Sequence, residues 1–261
     1  MGRRTNQRQA AQQEVLSPVH DLAKEVVSLL GHRNHTHACL RVSVLDKLIT
    51  QILTRGLFDA ARVVTMMRIQ RASDVETVNL YIPEAARRLG KMWSEDIIGF
   101  AEVSIGTARL QTLVREISSH WPLDAGVSDP RDARLLIATP DTEDHTLGAI
   151  TLCTLLRRQG HNVDLCIGAT THSILTELKH LRHDAVMISV SRPEALDSLA
   201  SLFKDIRQHM DYDPVLAVGG IILDHAAGIK DQTGADLATG DINQVLKLAA
   251  SRRKGRISVV Q

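Results

Sequence analysis

The sequence predicts an α/β protein in two parts, a helical bundle followed by an open parallel sheet. Three observations carry that reading. From Leu40 to about Trp121 the apolar residues recur at helical spacing. Pro122 to Arg131 then breaks all periodicity with Pro122, Gly126, Asp129 and Pro130. Beyond it, apolar β-type runs alternate with helical patterns, the signature of strands joined by right-handed helical crossovers.

The elements follow in order. Residues 1–36 are polar and rich in Gln, Arg and His, a flexible N-terminal segment with one amphipathic stretch, Val19 to Leu30. The bundle, 37–122, opens on the stripe Leu45, Leu48, Ile49 and Ile52, stopped by Gly56. Phe58 begins a second run with Ala61, Val64, Met66 and Met67 inward. Ser73, with Glu76 three residues on, predicts a capping box for a third helix carrying Val75, Val78, Leu80, Ile82 and Leu89. Pro83 inside that helix predicts a kink or break. A last helix spans about Phe100 to Ile117. After the linker, 123–132, the sheet domain occupies 133–254, and 255–261 is a tail. Its strands are Leu135–Ala138, Val163–Ile167, Ala185–Val190 and Val215–Val218, with a weaker one near Ala235–Thr239. Helical patterns lie at Leu147–Arg158, Thr171–Leu181, Pro193–His209 and Ile242–Ala250. Continuously apolar strands are expected where helices cover both faces.

Composition removes several classes of function. Lys and Arg number 31 against 30 Asp and Glu, so no general charge draws the chain to nucleic acid or membrane. No apolar run approaches the roughly 20 residues that span a bilayer. The basic start, Met1 to Gln9, lacks the apolar stretch of a signal peptide. Cys39, Cys153 and Cys166 sit in apolar patterns and read as buried free thiols, consistent with a cytoplasmic protein. His32, His35 and His37 cluster without a Cys or carboxylate at ligand spacing and read as a polar turn. Arg252-Arg253-Lys254-Gly255-Arg256 reads as a solvated helix end favoured by the macrodipole, or as a contact for phosphates or an acidic partner.

The chemistry concentrates on Thr139-Pro140-Asp141-Thr142-Glu143-Asp144-His145-Thr146-Leu147-Gly148. His145 leaves the carboxyl end of the first strand, where open α/β sheets bind ligands. It could be a general base, a metal ligand or a helix cap. Two further loops converge on that edge: Ser189-Val190-Ser191 after the third strand, and Gly219-Gly220 after the fourth, where absent side chains permit close approach of a flat ligand. Asp141 and Asp144 flank the site without a partner nucleophile. There is no P-loop and no Gly-x-Gly-x-x-Gly after the first strand, which disfavours a nucleoside triphosphate or dinucleotide.

Glu143-x-His145-x-x-Gly148, Ser189-x-Ser191 and Gly219-Gly220 together resemble the three-part signature of cobalamin-binding domains, over about residues 133–254. The resemblance implies a flavodoxin-like/Rossmann-like parallel sheet holding adenosyl- or hydroxo-/aquo-cobalamin. It implies that His145 Nε2 is the lower axial ligand of cobalt and that Glu143, where the family has aspartate, accepts the other ring N–H. Gly148 would let the displaced nucleotide tail pass the helix start, Ser189 would bond the tail's base, and Gly219 and Gly220 would line its slot. Ser191 stands where Leu or Thr is common. In the bundle, Leu89-Gly90-Lys91-Met92-Trp93 resembles the cap pattern Leu-Gly-x-x-Trp, which implies that Trp93 covers the upper face. Val103-Ser104 occupy the places where adenosylcobalamin photoreceptors carry Glu-His, with Glu102 one place early. A different or exchangeable upper ligand is then implied, with His120 the nearest histidine of the bundle; Trp121 closes the bundle end.

A mutase needs a substrate barrel for which the chain has no room. Length, the bundle joined to a cobalamin domain, and the lack of a DNA-binding domain resemble the AerR/PpaA antirepressor family of photosynthetic bacteria. That resemblance implies a non-enzymatic, light-responsive transcription regulator with cobalamin as chromophore. It would bind a CrtJ/PpsR-type repressor to control photosynthesis genes, with weak or indirect DNA contact and no membrane. The alternative is a corrinoid methyl-carrier protein of a methyltransferase system.

Overall fold

The computed structural model describes residues 40–121 and 133–259. The predicted N-terminal segment 1–36, Cys39, the His32–His37 turn, the linker 123–132 and the last two residues lie outside the described residues.

The bundle contains α1 (Val42–Leu53), α2 (Ala60–Ile69), α3 (Ile82–Ser94) and α4 (Phe100–Ser119). The α1 stripe is buried as its spacing predicts, with Val44 added. In α2 the buried set is Val63, Val64 and Met67, whereas Ala61 is exposed and Met66 only half-buried. The α3 rod has a lead-in, Asp74–Glu76, where the predicted capping box forms: Ser73 Oγ accepts from Glu76 N–H at 3.2 Å and Glu76 Oε2 accepts from Ser73 N–H at 2.8 Å. A π-helical turn, Thr77–Tyr81, follows, and Pro83 sits at the start of α3. Within an α-helix a proline ring collides with the carbonyl four residues back and leaves it unbonded. A π turn is wider by one residue, so the break expected from Pro83 is absorbed there and the chain stays helical.

The sheet domain contains β1 (Arg134–Pro140), α5 (Leu147–Arg158), β2 (Asn162–Ala169), α6 (Thr171–His180), β3 (Ala185–Ser189), α7 (Leu196–His209), β4 (Val215–Gly219), β5 (Leu237–Ala238) and α8 (Ile242–Val259). All pairings are parallel and the strand order is β2-β1-β3-β4-β5. Two short helices not expected from periodicity, Ile222–His225 and Ile229–Thr233, fill the β4–β5 connection. Strand alternation divides the core. Leu136, Ala138, Val186, Ile188, Leu216 and Val218 face α6 and α7, while Leu135, Ile137, Ala185, Met187, Val215 and Ala217 face α5 and α8. The continuous apolar reading holds for β1 and β3; the edge strand β2 is only partly covered, and Ile167 is 44 % exposed.

The two parts share a seam. Leu147 and Leu155 of α5 join the bundle core, and the Arg158 guanidinium lies 4.7 Å over the Trp121 ring, so Trp121 closes the bundle end against α5. α8 runs past the expected Ala250 through the basic segment to Val259. Within it, Arg252 binds Asp236 at 2.6 Å, Asp213 at 3.1 Å and the Pro214 carbonyl at 2.9 Å, and Arg253 lies 3.8 Å from Asp184. These two cations are spent on the fold rather than presented to phosphates. Cys153 is buried, its thiol pushed up to about 11 by that burial, and Cys166 is half-buried. No helix among the described residues is long and apolar enough to cross a membrane.

Candidate functional site

In a sheet of order 2-1-3-4-5 the crossovers leave β1 and β3 in opposite directions, and the loops after these neighbours part to form a crevice. Glu143 and His145 lie on the loop after β1, Ser191 on the loop after β3. The fold therefore brings together residues almost 50 positions apart.

The cluster is buried: Glu143 is 7 %, His145 3 % and Ser191 2 % exposed. Glu143 Oε1 lies 2.5 Å from His145 Nδ1 and accepts the His145 backbone N–H at 2.9 Å. Its Oε2 accepts the Ser191 backbone N–H at 2.7 Å, and the Ser191 hydroxyl lies 2.8 Å from Oε2 and 2.9 Å from Oε1. Burial by itself would raise the Glu143 pKa. The donors of His145 and Ser191 outweigh it and hold the carboxyl below its ordinary range. An ionised carboxylate on Nδ1 fixes the proton there, which makes Nε2 the nitrogen with a lone pair to give. Ser191, which the sequence places in the Ser189-x-Ser191 motif without a partner, is thus the anchor of the carboxylate that orients His145.

A carboxyl held below its unfolded value adds stability that is present above about pH 4.5 and lost as pH falls through the lowered folded value. The thermal midpoint of the native chain should drop more steeply below pH 4.5 than that of Glu143→Gln. Parallel curves for the two proteins would refute the assignment.

Beneath this cluster an apolar slot of about 30 Å³ runs into the sheet domain, lined by Ser189, Gly219, Met187, Ala149, Leu152 and Thr239 among others. Of the residues expected at the site, Ser189 and Gly219 line this slot. Gly148 is buried at the start of α5, but Ala149 and Leu152 face the slot. Thr239 and Gly240, just after β5, also line the slot; the sequence places Thr239 in the weak fifth strand but carries no motif that marks either as a site residue. Gly220 has a φ of +96°, and a Cβ there would lie 2.4 Å from Val190 O and 2.9 Å from Val190 N. Its missing side chain admits the chain's own β3 loop.

The bundle reaches the His145 loop through Gln111, whose amide donates to Thr146 Oγ1 at 3.0 Å. Trp93 is 9 % exposed, packed on Val103 and Ile98, with the Phe100 ring centroid 6.1 Å away. Val103 is therefore a support for Trp93, and Ser104 is exposed. Glu102 accepts the Gly99 N–H at 2.8 Å and serves the α4 start. At 1.5 Å per residue, Gln111 sits about 12 Å along α4 from Val103. His120 lies about 13 Å further in the same direction, with Nδ1 2.8 Å from Glu116 O. Trp93 and His120 therefore mark opposite ends of α4, which removes His120 as a partner of Trp93 over one ligand.

No family model matches the chain. Among solved structures, a novel cobalamin-binding protein from Desulfitobacterium hafniense DCB-2 is similar over 78 % of this chain and 96 % of that one, with 16 % identity and a TM-score of 0.40. The methanol:cobalamin methyltransferase complex MtaBC from Methanosarcina barkeri is similar over 83 % of this chain and 85 % of that one, with 12 % identity and a TM-score of 0.40. In sequence, the chain is 34 % identical over 171 residues to the uncharacterized 20.5 kDa protein in the bchF-crtJ intergenic region of Rhodobacter capsulatus, covering 66 % of this chain and 88 % of the relative. On that identity and coverage, the chain belongs to the family of this bchF-crtJ intergenic-region protein.

Proposed function

We propose that the protein binds cobalamin through His145 and acts as a light-responsive antirepressor of photosynthesis genes, by contact with a CrtJ/PpsR-type repressor rather than by catalysis. The observation that carries the cofactor reading is the buried Glu143–His145–Ser191 cluster at the β1/β3 switch point, above a slot entered past Ser189 and Gly219. The donor set fits the group. A carboxylate-fixed imidazole presenting Nε2 is the kind of ligand a cobalt centre takes, and the slot's apolar walls suit a flat aromatic base. When bound, cobalamin supplies a light-sensitive cobalt–carbon bond and an exchangeable upper position.

The chain's own residues do the rest. Glu143 and Ser191 hold the imidazole in one tautomer and one orientation. At about 30 Å³ the slot has room for about one water, so α5 and α8 must part to admit a base. His145 is 3 % exposed, so loading also needs a movement that uncovers the ring. Trp93, with the exposed Phe100 ring 6.1 Å away, gives the bundle an apolar patch for a ligand's upper side or a partner. A change of bundle position is the form in which a bound ligand would be read by a repressor, because inter-domain contacts respond to a few kcal/mol. The regulatory half of the proposal is supported by the relative's place in the bchF-crtJ intergenic region.

The test is retention. Purified protein is mixed with adenosyl- or hydroxocobalamin in darkness and in light, desalted, and its absorbance recorded, then offered to purified repressor. Light-dependent retention with repressor binding is expected. Methyl transfer to a thiol or folate acceptor would replace the sensor reading by the carrier, and failure to retain any corrinoid would end both.

A further inference from the structure

At the other end of the sheet three side chains from separate elements meet: Asp164 of β2, Glu177 of α6 and His183 from the loop before β3. Their ligand atoms all lie within 4.8 Å of one another. The Asp164 position pairs with Leu136, four residues before the end of β1, so it lies roughly 13 Å back from the sheet's carboxyl edge. The cluster is therefore separate from His145.

The hydrogen bonding of His183 points to a cation. Its ring is 1 % exposed, with Nδ1 2.9 Å from the Leu181 carbonyl and Nε2 2.8 Å from Asp164 Oδ2. Both neighbours are acceptors, and a neutral imidazole has one N–H to offer. With that proton used on the Leu181 carbonyl, Nε2 presents a lone pair to a carboxylate oxygen, an arrangement that needs positive charge between them. A histidine that gives Nδ1–H to a backbone carbonyl and turns Nε2 toward carboxylates is also the usual pose of a metal ligand. Glu177 adds a second anion. Among the described residues Arg134 pairs with Asp164, its guanidinium 3.5 Å from Oδ2 and 38 % exposed, and no cation pairs with the Glu177 carboxylate. Arg134 and a proton on His183 would both face Asp164; a divalent ion answers Glu177 as well.

We propose that Asp164, Glu177 and His183 bind a divalent transition-metal ion of zinc type, with one nitrogen and two carboxylate oxygens as ligands and a coordination position open to water. Asp164 and Glu177 are only partly buried, which gives the ion a path from solvent. The ion would clamp the edge strand β2 to α6 and to the start of β3, a structural role at the least covered part of the sheet.

The experiment uses the full chain, stripped with chelator and titrated with zinc by calorimetry, with bound metal counted by mass spectrometry and the thermal midpoint recorded. One zinc per chain and a raised midpoint are expected. Because His183 is buried, its replacement risks the fold, so Glu177→Gln and Asp164→Asn carry the test. Each should weaken zinc by more than the roughly 10–100-fold that loss of an outer hydrogen-bonding partner costs. His145→Ala and a double His35→Ala, His37→Ala variant should bind zinc as the native chain does. Absence of a saturable site, equal affinity in Glu177→Gln and Asp164→Asn, or loss confined to the His35, His37 variant would overturn the proposal.

Discussion

Gly220→Ala should lower stability by about 3–4 kcal/mol. Two costs add. A φ of +96° puts an L-residue in a region that costs roughly 1–2 kcal/mol. The new Cβ also overlaps backbone, at 2.4 Å from Val190 O and 2.9 Å from Val190 N. Those atoms cannot give way cheaply, because Val190 N–H donates to Gly219 O at 3.1 Å and Val190 O accepts from Ile222 N–H at 3.2 Å. Gly228→Ala is the control. Its φ is +71° but a Cβ there meets nothing within 4 Å, so about 1 kcal/mol is expected from the backbone alone. Against a total of about 5–15 kcal/mol the first change is severe and the second tolerable. Chemical denaturation of both variants checks it, and equal midpoints would show that the Val190 loop yields.

His145→Ala should abolish base-off cobalamin binding while leaving the fold intact. The substitution removes Nε2, the atom proposed to meet cobalt, but spares the donors that hold Glu143 in place. Ser191 N–H at 2.7 Å, the Ser191 hydroxyl at 2.8 Å and the backbone N–H of residue 145 remain. Glu143 is therefore not left as a naked buried charge, and circular dichroism should match the native chain. Corrinoid retained after desalting should fall by about 10²-fold or more, or persist only with the base-on spectrum. Native affinity and spectrum in the variant would refute the axial role and with it the cofactor reading.

The layout of the sheet domain was legible where physics makes sequence redundant. β1 and β3 are covered on both faces, so every residue from Leu135 to Ala138 and from Ala185 to Ile188 must be apolar, and the run announces itself. The same logic fails at Ile222–His225 and Ile229–Thr233, which are shorter than two helical turns and carry no period. It also fails for α8, whose basic end reads as a stop, although Arg252 is bonded to Asp236 and Asp213. Within the site, Glu143 and His145 are neighbours in one motif and could be read together. The role of Ser191 could not, because it depends on β1 and β3 lying side by side. Asp164, Glu177 and His183 carry no shared spacing at all; only the return of the chain through α6 unites them.

The π turn at Thr77–Tyr81 has a consequence for the far end of its helix. One extra residue in a turn rotates everything downstream by about 100° relative to an unbroken α-helix. Trp93 sits some three turns beyond Tyr81. The compass bearing of its indole is thus set by a local winding defect that also accommodates Pro83. A helix wound normally through this stretch would carry the same tryptophan about 1.5 Å further along the axis and aim it at a different neighbour.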